Sequence, residues 1–147
     1  MTEKEIRQYL PYSPPFLFVD ELTVIGPNGI TGNYTYRKDE YFYKGHFKKQ
    51  AVTPGVILTE TMAQIGLVCL GIYLLKDELQ NGSLPALALS SVEVEFLLPV
   101  FPGEKVTVVS RKKYFRFNKL KCEVEMQNGQ GKIVCRGVIA GLITKTR

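Results

Sequence analysis

Residues 54–75 read PGVILTETMAQIGLVCLGIYLL, and the way this stretch is buried decides the fold. Its length would suffice to span a bilayer core, which takes roughly 20 residues. Two side chains oppose that reading. Glu60 and Gln64 lie inside the stretch, and a carboxyl or amide in hydrocarbon is costly. A helix buried in a soluble protein fits better. Thr53 suits its N-cap, Pro54 the first helical position, and Gly55 follows. From Val56 to Leu75 apolar residues fall on nearly every face, so the helix must be surrounded rather than laid on a surface. Asn81-Gly82 closes the segment.

The flanks must supply what surrounds it. Downstream, strand-like runs lie near 84–98, 104–117, 119–127 and 132–143, with turns at Pro99 to Gly103 and Asn128 to Gly131. Upstream, Phe16 to Ile25 and Ile30 to Tyr36 read as strands on either side of Gly26-Pro27-Asn28-Gly29. Between Arg37 and Val52 the periodicity is lost and a loop is expected. Thr2-Glu3-Lys4-Glu5 is a capping-box pattern that opens a short helix ending before Pro11. One buried helix and about six strands, mostly sequential neighbours, predict an antiparallel sheet curled around the helix, in the α+β class. No repeat, low-complexity run or linker interrupts residues 1–147, which are expected to form one domain.

Composition narrows the function classes. Hydrophobic content of 45% and a mean hydropathy of −0.02 exclude a disordered chain. The start, MTEKEIRQYL, has no apolar h-region, so no export signal is expected. Without one, the sequons at Asn33 and Asn81 carry no weight, and Lys76-Asp77-Glu78-Leu79 lies mid-chain, where it cannot act as a retention signal. Three cysteines, Cys69, Cys122 and Cys135, leave one over in any pairing and form no C-x-x-C. A tight turn at Asn128-Gly129 would set Cys122 opposite Cys135, whereas the wider loop to Gly131 puts them out of register. Free thiols in the cytoplasm are expected, and no metal centre or cofactor.

Chemistry concentrates near the helix start. His46, the one histidine, stands fourteen positions before Glu60. Histidine can take or give a proton near neutral pH. Glu60 has apolar neighbours, where desolvation disfavours the anion and can keep a carboxyl neutral as a proton donor. Gly55 offers an unpaired N–H at the positive end of the helix dipole and lets an oxygen come close. Gln64, one turn on, can orient Glu60. Base, acid and oxyanion donor together match proton removal beside a carbonyl with loss of a leaving group. The plainer readings stand beside this one: a hydrogen-bonded loop histidine, a close-packing glycine, and a glutamine satisfied against backbone. Spacing alone leaves the choice open.

Gly45-His46-Phe47, Pro54-Gly55-Val56 and Glu60-Thr61-Met62-Ala63-Gln64 resemble the signature of the β-hydroxyacyl-[acyl-carrier-protein] dehydratases of bacterial fatty-acid synthesis. The likeness extends to Leu10-Pro11, to Pro15-Phe16-Leu17-Phe18-Val19-Asp20, and to Phe96 with Pro99-Val100 and Pro102-Gly103-Glu104. The resemblance implies a hot-dog fold, a long helix wrapped by an antiparallel sheet. It also implies a homodimer, with room for a hexamer built as a trimer of dimers, in which His46 of one subunit meets Glu60 of the other. His46 would then remove the C2 proton of a 3-hydroxyacyl thioester on an acyl carrier protein. Glu60 would assist departure of the C3 hydroxyl, and the Gly55 N–H would hold the thioester oxygen.

This chain departs from that pattern at Tyr12, where the family commonly has histidine, at Lys48-Lys49-Gln50-Ala51, at Thr53, and at Leu97-Leu98. None of these touches His46, Gly55 or Glu60, but they bear on substrate and carrier, so a specialised polyene or polyketide-like pathway stands beside housekeeping fatty acids. A hot-dog thioesterase using Glu60 is the alternative reaction. A further feature is residues 111–121, RKKYFRFNKLK, which hold six of the nineteen basic residues and no acid. Removing those six would take the net charge from +5 to −1. Arg111, Lys112, Lys113 and Arg116, with Lys48 and Lys49, are expected to meet an acidic carrier protein. A solubilising strip and a groove for single-stranded nucleic acid are the other readings.

Overall fold

The apolar stretch folds as a single helix, Gly55–Leu74 (α2), in a computed structural model that describes residues 1–145. It is the one described helix long and apolar enough to cross a bilayer, and most of it is buried inside the protein. Met62, Ile65 and Leu70 are fully buried. Glycine at 66 allows the closest approach to the sheet, because a Cβ there would lie 3.0 Å from both Ser110 Cβ and Val124 Cγ1. Within α2, Ala63–Val68 widens into a π-helical segment, closed by the Cys69 N–H donating to the Gln64 carbonyl.

Around α2 the chain lays six strands: β1 (Glu21–Gly26), β2 (Gly29–Thr35), β3 (Pro85–Phe96), β4 (Lys105–Arg116), β5 (Lys119–Gln127) and β6 (Ile133–Lys145). Two short helices, α1 (Glu3–Gln8) and α3 (Lys76–Gln80), complete it, and α1 is closed by the expected capping box of Thr2 and Glu5. The sheet order is β1-β2-β4-β5-β6-β3, with every neighbouring pair antiparallel. Thus the fold is the α+β hot-dog arrangement that the resemblance implies. Three of the five pairs are sequential neighbours, as expected, and β3 is the exception. Because α2 intervenes after β2, the chain returns at the opposite edge, where β3 pairs with β6 alone.

Three local readings need correction. Pro54, not Thr53, is the N-cap; its carbonyl accepts from the N–H groups of Ile57 and Leu58 at 2.9 and 3.1 Å. The Thr53 hydroxyl is engaged elsewhere, 2.6 Å from the Tyr43 hydroxyl. Residues 16–20 are a strap rather than the first half of a strand, since the Gln64 side chain takes the backbone groups of Phe16 and Phe18. Finally, β3 stops at Phe96, and the N–H groups of both Leu97 and Leu98 turn to the Val134 carbonyl.

The β5–β6 connection takes the wider form. Asn128 Oδ1 accepts from the backbone N–H groups of Gln130 and Lys132. Cys122 therefore faces Ile139 and Cys135 faces Met126, and all three cysteines are free and buried.

Candidate active site

Glu60 sits on the second turn of α2, half-buried. Burial raises its carboxyl pKa above the ordinary value, opposed by a hydrogen bond from Gln64. That bond, from Gln64 Nε2 to Glu60 Oε2, is 2.9 Å long. Gln64 is itself 0% exposed and holds the strap as well. Its Nε2 donates to the Phe16 carbonyl at 3.1 Å, and its Oε1 accepts from the Phe18 N–H at 2.8 Å. The carboxyl is thereby fixed through a buried amide to backbone nearly fifty positions away.

At the start of the same helix the first intrahelical bonds come from Ile57 and Leu58, and the Gly55 N–H has no hydrogen-bond partner among the described residues. The Phe96 ring lies so close that a Cβ on residue 55 would meet two of its carbons at 3.2 Å. Only glycine fits without moving the ring.

His46 lies in the loop after the 3₁₀ turn Tyr41–Lys44. Its Nδ1 is 2.8 Å from the Val52 carbonyl. A carbonyl only accepts, so Nδ1 carries a proton and Nε2 is the ring nitrogen left for another partner. The ring stacks on Phe47, with centroids 4.4 Å apart, and Phe47 adopts a left-handed backbone with φ of 62°. Four hydrogen bonds brace this loop. Tyr43 bonds Thr53; buried Glu40 accepts from the Tyr34 hydroxyl at 2.9 Å and the Arg37 N–H at 3.0 Å; and the Thr53 N–H donates to the Val100 carbonyl at 2.8 Å.

Glu60, Gln64 and Gly55 are thus brought together on one helix. Within the single chain, His46 and Glu60 share no hydrogen bond among the described residues. Tyr12, a departure expected to touch none of His46, Gly55 and Glu60, is instead a neighbour of Glu60. Its phenol is pushed up to about 12, first by burial and then by Glu60 and Cys69, and so stays protonated beside the carboxyl. The basic strip is less uniform than its sequence suggests. Arg111 and Lys113 both meet Glu123 of β5, at 3.3 and 3.5 Å, and the Arg116 guanidinium lies 4.5 Å from the Tyr114 ring centroid. Lys112 is partly covered, and Lys48 and Lys49 are exposed on the His46 loop. No group of three His, Cys, Asp or Glu side chains suited to a metal comes together among the described residues.

Residues 10–139 match the model of the FabA-like domain family. The 3-hydroxyacyl-[acyl-carrier-protein] dehydratase FabZ of Acinetobacter baylyi is 32% identical over 147 residues, covering 99% of this chain and 90% of that protein. Its namesake from Clostridium perfringens is 32% identical over 143 residues, covering 95% and 96%. Among solved structures, a chain of the dehydratase heterocomplex ApeI:P from Xenorhabdus doucetiae superposes with a TM-score of 0.79 at 15% identity, covering 100% of this chain and 93% of that one. A Haemophilus influenzae thioesterase does so at 0.67 and 16%, covering 99% and 92%. At such identities the two structures establish a shared fold alone.

Proposed function

Because the chain belongs to the FabA-like domain family, we propose that it removes water from a 3-hydroxyacyl thioester on an acyl carrier protein, giving the trans-2-enoyl thioester. The observation that carries this reading is the state of Glu60, a half-buried carboxyl with a raised pKa, held in place by a fully buried amide. Such a group can arrive protonated and give up its proton. Nε2 of His46 takes the proton from C2. The C2–H electron pair becomes the C2–C3 double bond, the C3–O bond breaks, and the Glu60 proton leaves with the hydroxyl as water. The Gly55 N–H holds the thioester oxygen, where negative charge develops. Cytoplasmic fatty-acid or polyene synthesis is the setting this reading favours.

A homodimer completes the site in this reading. The lack of a hydrogen bond between His46 and Glu60 within one chain among the described residues supports it, as does the position of β3 at the edge of the sheet. Phe47, Val56, Leu89 and Val92 are exposed apolar residues on the His46 loop, the start of α2 and β3. A second copy paired along β3 would cover such residues and set His46 of one chain beside Glu60 of the other. The carrier's acidic surface would be met by Lys48, Lys49, Lys112 and Arg116, with Arg111 and Lys113 shared with Glu123.

The test is a crotonyl thioester incubated with purified protein. Hydration of the double bond is expected; release of the thiol without hydration would favour the thioesterase alternative and sink the dehydratase. His46→Ala and Glu60→Gln should each lower hydration by about 10² to 10⁴ while leaving the fold intact.

A further inference from the structure

The β4–β5 hairpin turns on Phe117 and Asn118, both with positive φ, 52° and 60°. That pattern belongs to a two-residue hairpin turn where Asn and Gly are at ease and a phenylalanine is strained. Core packing does not compensate, because Phe117 is 91% exposed. Strained residues persist where the surroundings or a function hold them. The strand register shows what rings the apex. Arg116 faces Lys119, Lys119 faces Leu142, and Tyr114 faces Lys121. Alternation along the strands puts these side chains on the outer face, since the intervening Leu120 is fully buried. The Tyr114 ring gathers two of the cations, Arg116 at 4.5 Å and Lys121 at 6.0 Å. Unlike Arg111 and Lys113, none of Arg116, Lys119 and Lys121 is in an ion pair among the described residues.

We propose that this apex docks the protein, peripherally and reversibly, on an anionic lipid surface. Phe117 enters the headgroup layer while Arg116, Lys119 and Lys121 rest on lipid phosphates. The shape favours lipid over a folded partner. A single ring projecting from a convex tip would need a matching pocket in another protein, whereas a headgroup layer opens around it. Exposed Leu142 beside Lys119 extends the apolar contact. The inference is independent of the chemical step, because none of His46, Gly55, Glu60 and Gln64 lies on the β4–β5 hairpin; Arg116 alone is shared with the surface offered to the carrier.

The chain has no tryptophan, so Phe117→Trp installs one fluorophore at the apex. Its emission should shift to the blue, and resist acrylamide quenching, with vesicles containing roughly one third phosphatidylglycerol but not with phosphatidylcholine alone. Co-sedimentation of the wild type should weaken as salt rises. Phe117→Gly suits the positive φ, so the fold survives while vesicle binding falls at least several-fold. Lys119→Glu with Lys121→Glu should reduce binding by roughly tenfold or more. Turnover of a small pantetheine thioester should be unchanged in all of these variants. An unshifted tryptophan and equal pelleting of wild type and Phe117→Gly would overturn the proposal. So would a shift produced by an acidic carrier protein, or by a single-stranded oligonucleotide, and not by vesicles.

Discussion

Gln64 holds three groups at once: the Glu60 carboxylate, the Phe16 carbonyl and the Phe18 N–H. Replacing it by leucine fills the space but strands buried polar partners, each worth about 1 to 3 kcal/mol when left unmade. Gln64→Leu should therefore lower stability by about 2 to 4 kcal/mol in denaturant titration, and lower kcat as Glu60 loses its hold. Wild-type stability in that variant would reduce the amide to a bystander. Glu60 itself gives a pH test. Burial raises its pKa from the ordinary 4.5, so the native state binds the proton more tightly than the unfolded chain. The stabilisation from that proton is full below the unfolded pKa and is lost as pH rises through the folded one. Glu60→Gln keeps an acceptor for Gln64 and cannot ionise, so its Tm advantage over wild type should grow from acid to neutral pH. Parallel Tm profiles would show that burial does not bear on this carboxyl.

The loop that carries His46 is an element held by hydroxyls rather than by a ladder. Tyr43→Phe removes one partner of the 2.6 Å bond to Thr53 and should cost about 1 kcal/mol, together with a measurable fall in kcat as the histidine loosens. Unchanged kinetics would detach that brace from catalysis. At this scale the sequence was readable wherever one period dominated: α2 from its apolar faces, β4 to β6 from their alternation and turns. It misled where a distant group replaced a local one. The run from Phe16 to Asp20 alternates like a strand, yet its backbone is satisfied by a side chain 46 positions on. Thr53 has the chemistry of a cap, but its hydroxyl crosses the loop instead. The π-helical segment leaves no trace in a helix that is apolar all round, because no polar face records its phase.

Across the whole molecule, the edge position of β3 could not be read from local pattern, since it depends on where α2 sends the chain. The pairing of His46 with Glu60 in one site is implied by family resemblance alone, because fourteen positions of loop and helix fix no distance. If the site is shared, mixing inactive His46→Ala with inactive Glu60→Gln protein should restore part of the activity, one site in each mixed pair being intact. No recovery after verified subunit exchange would count against sharing. Leu89→Lys with Val92→Lys places charge on the exposed apolar side of β3 and should yield monomers in sedimentation, with activity lost in parallel. Dimers that survive both substitutions would move the interface elsewhere.

The three sealed thiols supply the molecule with a clock. They sit on three separate elements, α2, β5 and β6, and burial pushes the pKa of Cys122 and Cys135 up to about 12 and that of Cys69 higher still. Thiolates react with alkylating reagents and buried thiols do not, so labelling waits for each element to open. A sheet wrapped on one helix has no obvious way to release either alone. All three cysteines should then be labelled at one common rate, equal to that of unfolding, and an early signal from Cys69 would reveal that the end of α2 swings out by itself.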